Sequence, residues 1–204
     1  MTEEFLIPAE EVEFEEEIKH SRFISFVFHC DSEQKLKLVL TRVKQHYPGA
    51  SHYCYAFVAD DPSNLVAIGS SDDGEPAGSA GRPMLACLQG ANIGEIGAVV
   101  VRYFGGTKLG VGGLVRAYSS GIKKVIPELK TQLKTRRYPV KLTCDYAQLN
   151  DVEYVITQCE GVIIDKQFAE SVTVEFELAK AWQQKFNALL ATQTQGALQV
   201  KFTA

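Results

Sequence analysis

Three carboxylates lie close together in the segment SSDDGEPAGSAGRP, which spans residues 70–83. Asp72, Asp73 and Glu75 are residue types that hold Mg²⁺ or exchange protons with a substrate. The same residues could instead form an Asp-Asp-Gly turn or take part in ion pairs. Three cations are available for such pairs, Arg82, Arg102 and Lys108. We expect the turn and the ion pairs rather than a metal site.

The glycines are concentrated in one part of the chain, with twelve of the sixteen between Gly69 and Gly113. The segment VVRYFGGTKLGVGGLVRAY (residues 100–118) places five of them between a strand-like run and a helix-like run. The start of such a helix presents unpaired N–H groups and a positive dipole, which favour an anion. Alternatively, the glycines let the helix pack closely on the sheet. Both interpretations are open.

We predict an anion- or nucleic-acid-binding surface in this region. Its residues are Arg82, Arg102, Gly105, Gly106, Lys108, Gly110, Gly112, Gly113 and Arg116. The known nucleotide motifs do not fit. A Walker A motif needs Gly before the lysine, but Thr107 precedes Lys108, and a G-x-G-x-x-G motif from Gly110 would need a glycine at Val115. The sequence therefore predicts no cofactor.

His52 and Cys54 lie in the strand-like run HYCYAFVA, residues 52–59. Alternation along a strand places them on one face, together with Ala56 and Val58. A histidine beside a cysteine suggests a metal pair or a nucleophile, but two ligands are too few for a zinc site. We therefore assign no catalytic residue and no metal ligand set.

The net charge of −4 hides a strong segregation along the chain. Residues 1–75 carry fifteen acidic and six basic side chains, whereas residues 76–143 carry two acidic and eleven basic ones. The middle of the chain would attract an anionic partner, unless the two parts neutralise each other in the fold. The five cysteines show no C-x-x-C pair, and the N-terminus has no apolar signal region. We expect reduced thiols, no membrane segment and a cytoplasmic location.

Two domains are expected, an α+β domain over residues 1–135 and a second domain over residues 136–204. The first shows strands at residues 9–18, 21–30, 52–59, 65–71 and 96–104 and helices at residues 32–47, 82–89 and 113–129, followed by a linker, KTQLKTRR. The second domain shows a strand, a helix capped by Asp145, two strands, a second helix ended by Gly196 and a final strand, ALQVKFT. This order is the βαββαβ arrangement of ferredoxin-like domains.

Four segments between Ser21 and Tyr118 together resemble the signature blocks of the IMPACT family, and its bacterial members in particular. They are SRFIS, HYCYAFV, SDDGEPAGSAGRPML and the glycine-rich segment of residues 100–118. The resemblance implies an N-terminal domain similar to the second domain of a small-subunit ribosomal protein. It also implies a C-terminal domain similar to the last domain of elongation factor G. Eukaryotic relatives act in translational control, partly through an added RWD-type domain that we do not find in these residues.

The leading hypothesis is a translation-associated regulatory protein, a non-enzymatic module rather than an enzyme. It would contact RNA or a ribosome-associated protein through the glycine-rich basic face. One alternative is a metal-assisted hydrolase or other enzyme that uses Asp72, Asp73 and Glu75, and another is a pure protein-interaction module. The sequence assigns no oligomeric state.

Overall fold

The computed structural model describes residues 2–202. The chain divides into two compact units, of which the first ends at Lys134 and the second begins at Thr135. Both units combine helices with antiparallel sheets, so the predicted α+β fold class is confirmed. Within residues 2–202, no helix is both long and apolar enough to cross a bilayer.

The first unit is built on a five-stranded antiparallel sheet with the order β2-β3-β6-β4-β5. Its strands are β2 (Val12–Ile18), β3 (Ser21–His29), β4 (His52–Val58), β5 (Ile68–Ser71) and β6 (Ile96–Tyr103). The central strand, β6, is buried along almost its whole length. Its apolar run IGAVVV fits that position, because both faces of the sheet are covered.

Three helices cover the two faces of this sheet, α1 (Glu33–His46), α2 (Gly81–Gly90) and α3 (Val111–Val125). Helix α1 packs Leu36, Val39 and Val43 on one face, which also carries Phe57 of β4. Helices α2 and α3 pack on the opposite face, which carries Cys54. The alternation predicted for β4 therefore holds.

Two further strands were not expected from the sequence. Strands β1 (Glu4–Pro8) and β7 (Thr131–Thr135) pair as a separate two-stranded sheet. Strand β7 lies within the segment that we interpreted as a linker. Its polar sequence, TQLKT, shows little apolar alternation, so only pairing with a strand far away in the sequence identifies it as a strand.

The second unit contains β8 (Tyr138–Cys144), α4 (Leu149–Gln158), β9 (Val162–Phe168), β10 (Val172–Leu178) and α5 (Gln183–Gln193), and its antiparallel sheet has the order β8-β10-β9. Asp145 and Gln148 form a reciprocal capping box just before α4, where the sequence predicted a cap. Both helices and the three strands share one apolar core.

The prediction of a final strand is wrong, because residues 197–202 do not form a β-strand. The side chain of Asn187 on α5 explains part of this result. Its Oδ1 accepts from the Val200 N–H at 3.0 Å, and its Nδ2 donates to the Val200 carbonyl at 2.9 Å. These bonds satisfy the backbone groups of Val200, which would otherwise be free for a neighbouring strand.

Candidate functional site

A cavity of about 440 Å³ in the first unit joins the two segments that the sequence analysis singled out. We call it the loop cavity. It is lined by Glu75, Pro76, Arg102, Phe104, Lys108, Leu109, Gly110, Val111 and Leu114. The loop between β6 and α3 contributes four of these nine residues, and Glu75 and Pro76 come from the loop before α2.

A buried ion pair contributes to the lining of the loop cavity. Arg102 Nη1 donates to Glu75 Oε1 at 2.5 Å, and the two side chains are 6% and 4% exposed. The hydroxyl of Tyr118 on α3 donates to the same oxygen at 2.7 Å. Of the three carboxylates in the acidic segment, Glu75 therefore forms an ion pair, and its cation is Arg102.

Arg102 is held between two aromatic rings and is not a free surface cation. Its guanidinium carbon lies 5.5 Å from the ring centres of both Phe23 and Phe104. Its Nε atom is buried and has no hydrogen-bond partner within residues 2–202. Because Glu75 balances its charge, Arg102 adds little to a positive surface.

The other two carboxylates of the acidic segment point to different partners. Asp72 accepts hydrogen bonds from the N–H groups of Gly78, Ala80 and Gly81, at 2.8, 2.9 and 2.8 Å, at the start of α2. Burial acts to raise the pKa of Asp72, but these bonds outweigh burial and lower the pKa below its ordinary value. Asp73 accepts from the Tyr53 N–H at 2.6 Å. The three carboxylates do not converge, and no cluster of His, Cys, Asp or Glu suited to a metal occurs in residues 2–202.

His52 and Cys54 lie beside this network but do not form a nucleophilic pair. His52 Nδ1 donates to the Asp73 carbonyl at 2.8 Å, and its Nε2 lies 3.8 Å from Glu75 Oε1. Cys54 is buried and donates to the Asp72 carbonyl at 2.9 Å. Burial raises the pKa of the Cys54 thiol to about 12, so the thiolate is not available near neutral pH.

Lys108 and Phe104 form the accessible rim of the loop cavity. Lys108 is exposed and has no ion-pair partner in the described part of the chain. Phe104 is 49% exposed even though Arg102 lies against it. The neighbouring Val111 is 58% exposed, so the rim combines a free cation with two apolar side chains.

Helix α3 begins at the loop cavity without a side-chain cap. Gly110 is its N-cap, with φ 71°, and no side chain bonds to the first amides. The Leu114 N–H donates to the Gly110 carbonyl at 2.9 Å, which is the first regular hydrogen bond of the helix. The amides that precede Leu114 in α3 therefore have no carbonyl partner within the helix. An uncapped helix start beside Lys108 is a suitable environment for an anion.

Two of the five glycines in the segment serve close packing. A Cβ at Gly105 would overlap the His20 carbonyl, and the Gly105 N–H donates to Ser21 Oγ at 3.2 Å. A Cβ at Gly113 would lie 3.0 Å from Leu109 Cβ. Close packing therefore explains the glycine at these two positions. The expected contact was between a helix and the sheet, whereas Gly105 packs against the turn at His20.

The other three glycines have different reasons. Gly106 and Gly110 have positive φ values, 83° and 71°, which favour glycine. Gly112 has an ordinary φ, and a Cβ there would meet no atom within 4 Å. Gly112 is therefore the glycine in this segment for which neither close packing nor backbone conformation gives a reason.

Arg116 and Arg82 are exposed but do not line the loop cavity. Because an α-helix turns about 100° per residue, Arg116 lies roughly 200° around α3 from Leu114, which does line it. The predicted helix over residues 113–129 would have Arg116 in its first turn, but α3 begins two residues earlier, at Val111. Arg82 lies in the first turn of α2, where its charge helps to lower the pKa of Asp72.

Sequence reasoning missed Tyr118, Phe104 and Ser21 as parts of this site. Tyr118 lies on the buried face of α3, four residues after Leu114, so helical spacing could have identified it. Phe104 directly follows the buried strand β6 and precedes Gly105 and Gly106, so its position in the sequence could have identified it as part of the site. Ser21 lies 84 residues from Gly105, and no local pattern links the two.

Comparisons with known proteins agree with the resemblance found in the sequence. Residues 19–126 match the model of the Impact N-terminal domain, and residues 142–197 match a domain of unknown function, DUF1949. The chain is 45% identical to "IMPACT family member YigZ" of Escherichia coli, over 97% of each chain. It is 40% identical to an IMPACT family member of Haemophilus influenzae, over 97% of this chain and 96% of the relative.

One solved structure is similar over almost the whole chain. It is titled as the crystal structure of a hypothetical protein, has a TM-score of 0.85 and 44% identity, and the match covers 98% of this chain and 97% of the other. The matching domain model spans more than half of the present chain, and two relatives exceed 30% identity over nearly all of it. The chain therefore belongs to the IMPACT family.

Proposed function

We propose that the protein is a translation-associated regulatory module that binds RNA at the loop cavity and performs no chemistry there. The association with translation follows from the family, whose eukaryotic members act in translational control. The choice of RNA follows from the arrangement of groups around the cavity. A ribosome-associated protein is the other partner that the family suggests.

The uncapped start of α3 beside Lys108 is the observation that carries the proposal. The first helical amides lie at one wall of the cavity, together with a lysine ammonium that has no ion-pair partner among residues 2–202. Backbone N–H groups and a lysine are the donors that commonly bind phosphate oxygens. A phosphate of the RNA backbone would therefore lie between Lys108 and the N-terminus of α3.

Phe104 supplies a second element of single-strand recognition. Arg102 lies 5.5 Å from the centre of its ring, and Arg102 is in turn fixed by Glu75. A half-exposed aromatic ring held in this way can stack on a base without selecting its sequence. Phosphate contact and stacking at one cavity favour an unpaired RNA segment over a duplex.

The buried ion pair argues against the hydrolase alternative. Glu75 is occupied by Arg102 and Tyr118, Asp72 by three amides and Asp73 by the Tyr53 amide. These partners compete with a Mg²⁺ ion for the three carboxylates. A thermal-unfolding measurement with Mg²⁺ tests this alternative, because a site that binds the ion in the folded state would raise the melting temperature.

A fluorescence titration with labelled single-stranded RNA, at about 50 and 200 mM salt, tests the proposal. Lys108→Ala should weaken binding by a similar factor for oligo(U) and oligo(A), and it should reduce the salt slope by about one. Phe104→Leu should weaken binding but leave the salt slope unchanged. Lys35→Ala, an exposed change on α1, is the matched control.

Two results would contradict RNA binding at the loop cavity. One is an absence of binding by the native protein at the lower salt concentration. The other is a Lys108→Ala variant that binds as well as the native protein. In either case the protein-interaction alternative would become the leading hypothesis.

A further inference from the structure

A second concave surface in the first unit lies between α2 and α3, and we call it the α2/α3 groove. It has a volume of about 540 Å³. Its apolar lining includes Pro83, Ala86, Gly90, Ala91, Val115 and Ile126. Only Lys123 in the lining is charged, and no acidic side chain contributes. None of the nine residues that line the loop cavity also lines this groove.

The remaining polar groups of the groove do not make it a hydrophilic surface. Ser119 donates its hydroxyl hydrogen to the Val115 carbonyl at 2.8 Å, so this donor is used within α3. Cys87 is partly exposed and lines the groove. Small side chains such as Ala86 and Gly90 allow another backbone to approach closely. A partner that fits this surface must therefore bring apolar side chains.

Three cations surround this apolar surface. Lys123 lies in the groove, Arg116 is seven residues before it on the same face of α3, and Arg82 precedes Ala86 by one turn of α2. All three are exposed. Arg82 lies near enough to Asp72 to help lower the pKa of that carboxyl, whereas Arg116 and Lys123 have no ion-pair partner within residues 2–202. The adjacent Lys124, in contrast, is paired with Glu16 at 2.6 Å. Positive charge is thus left without a partner around the groove.

We propose that the α2/α3 groove binds an acidic amphipathic helix of a partner protein. Both walls are helices, whose backbone groups are bonded internally, so the groove offers no edge to which a strand could be added. A helix can instead place apolar side chains at positions i, i+3, i+4 and i+7 between α2 and α3. Acidic residues flanking that apolar stripe complement Arg82, Arg116 and Lys123.

RNA fits this groove less well than a protein helix does. No aromatic side chain lines the groove, so no base could stack there. The Ala80 and Gly81 amides at the start of α2 already donate to the Asp72 carboxylate, so they are not available to an RNA phosphate. The proposal concerns a different surface from RNA binding at the loop cavity, and either one can fail without the other.

Cys87 provides a direct reporter for the groove. All five cysteines lie in the described part of the chain, and Cys87 is the one that is not buried. The experiment measures the alkylation rate of Cys87 by N-ethylmaleimide in the full-length protein. Three probes are compared. The first is a synthetic helical peptide of leucine and glutamate, with leucines at positions i, i+3, i+4 and i+7. The second is the same peptide with lysine in place of glutamate, and the third is oligo(U).

The leucine–glutamate peptide should lower the alkylation rate at least fivefold at saturation, and the lysine peptide and oligo(U) should not. Lys123→Glu should raise the concentration needed for half protection about threefold to tenfold. Lys35→Glu, which makes the same charge change on α1, should not. Gly90→Leu should abolish protection, because a Cβ at Gly90 meets no atom within 4 Å and the added side chain would fill the groove without disturbing the core.

Three outcomes would overturn the proposal. The leucine–glutamate peptide gives no protection, the lysine peptide protects equally well, or oligo(U) protects Cys87 at least as well as the leucine–glutamate peptide does. The last outcome would assign the groove to nucleic acid. Each variant is compared with its own rate without a probe, so a change in the basal reactivity of Cys87 cannot imitate binding.

Discussion

Arg102 Nη1 lies 2.5 Å from Glu75 Oε1 in the interior of the first unit. The contact joins strand β6 to the loop that precedes α2, and Tyr118 adds α3 through its bond to the same carboxylate oxygen. Three elements that form or flank the loop cavity are therefore held together by one buried carboxylate. The geometry of the proposed RNA site depends on this contact.

We expect Arg102→Met to destabilise the fold by about 3–5 kcal/mol, because it leaves the Glu75 carboxylate buried without its cation. Urea unfolding followed by circular dichroism measures the loss. Lys37→Ala is the control, since it removes an exposed ion pair with Glu33 on α1 and should cost only about 0.5 kcal/mol. Equal losses for the two variants would show that Arg102 and Glu75 are not a buried pair.

Two glycine substitutions in the same segment should have opposite effects. Gly105→Ala should destabilise the protein by at least 1 kcal/mol, as an order of magnitude, because the new methyl group would overlap the His20 carbonyl. Gly112→Ala should stabilise it by up to about 1 kcal/mol, because the site is open and alanine favours the helix. Thermal unfolding of both variants checks the prediction, and a stabilising Gly105→Ala would contradict it.

Asp72 should make the free energy of unfolding depend on pH in the acidic range. Its carboxylate has a lowered pKa in the folded protein, so the folded state binds the proton more weakly than the unfolded chain does. The stabilisation is present above the unfolded value of about 4 and is lost as the pH falls through the lower folded value. Unfolding measurements from about pH 6 to pH 2 should show a flatter profile for Asp72→Asn than for the native protein.

The exposed change Asp31→Asn is the control for the loss of one negative charge. Asp72→Asn should also reduce stability at neutral pH, since asparagine does not provide two charged acceptor oxygens for the amides of α2. A pH profile of Asp72→Asn parallel to that of the native protein would contradict this role for the carboxylate.

We expect residues 136–204 to fold when they are expressed alone. The three strands and two helices of the second unit share a core that includes Val155, Phe176 and Phe186. Such a core can stabilise a small domain, although the margin at this size is narrow. Dispersed amide signals in a nitrogen–proton NMR spectrum would support independent folding, and a collapsed spectrum would contradict it.

Local patterns predicted most of the regular elements. The alternation in HYCYAFV identified β4 and assigned its two faces, and the apolar spacing between residues 32 and 47 identified α1. The same approach failed for β7 and for residues 197–202. Strand β7 has little pattern of its own, and residues 197–202 have a strand-like sequence but no strand assignment. In both cases a distant part of the chain decides whether a segment becomes a strand.

The sequence by itself determined which residues are polar or glycine in an otherwise apolar region, and hence where to look for a site. Only the tertiary structure decided which of those residues are buried, which are exposed, and beside which cavity each one lies. It buries Arg102 on Glu75, leaves Lys108 exposed at the start of α3, and places Arg116 beside a different groove. The physical reason is that charge and spacing are local properties of the chain. Burial, ion pairing and the direction of a helical side chain depend instead on which distant segments pack against it.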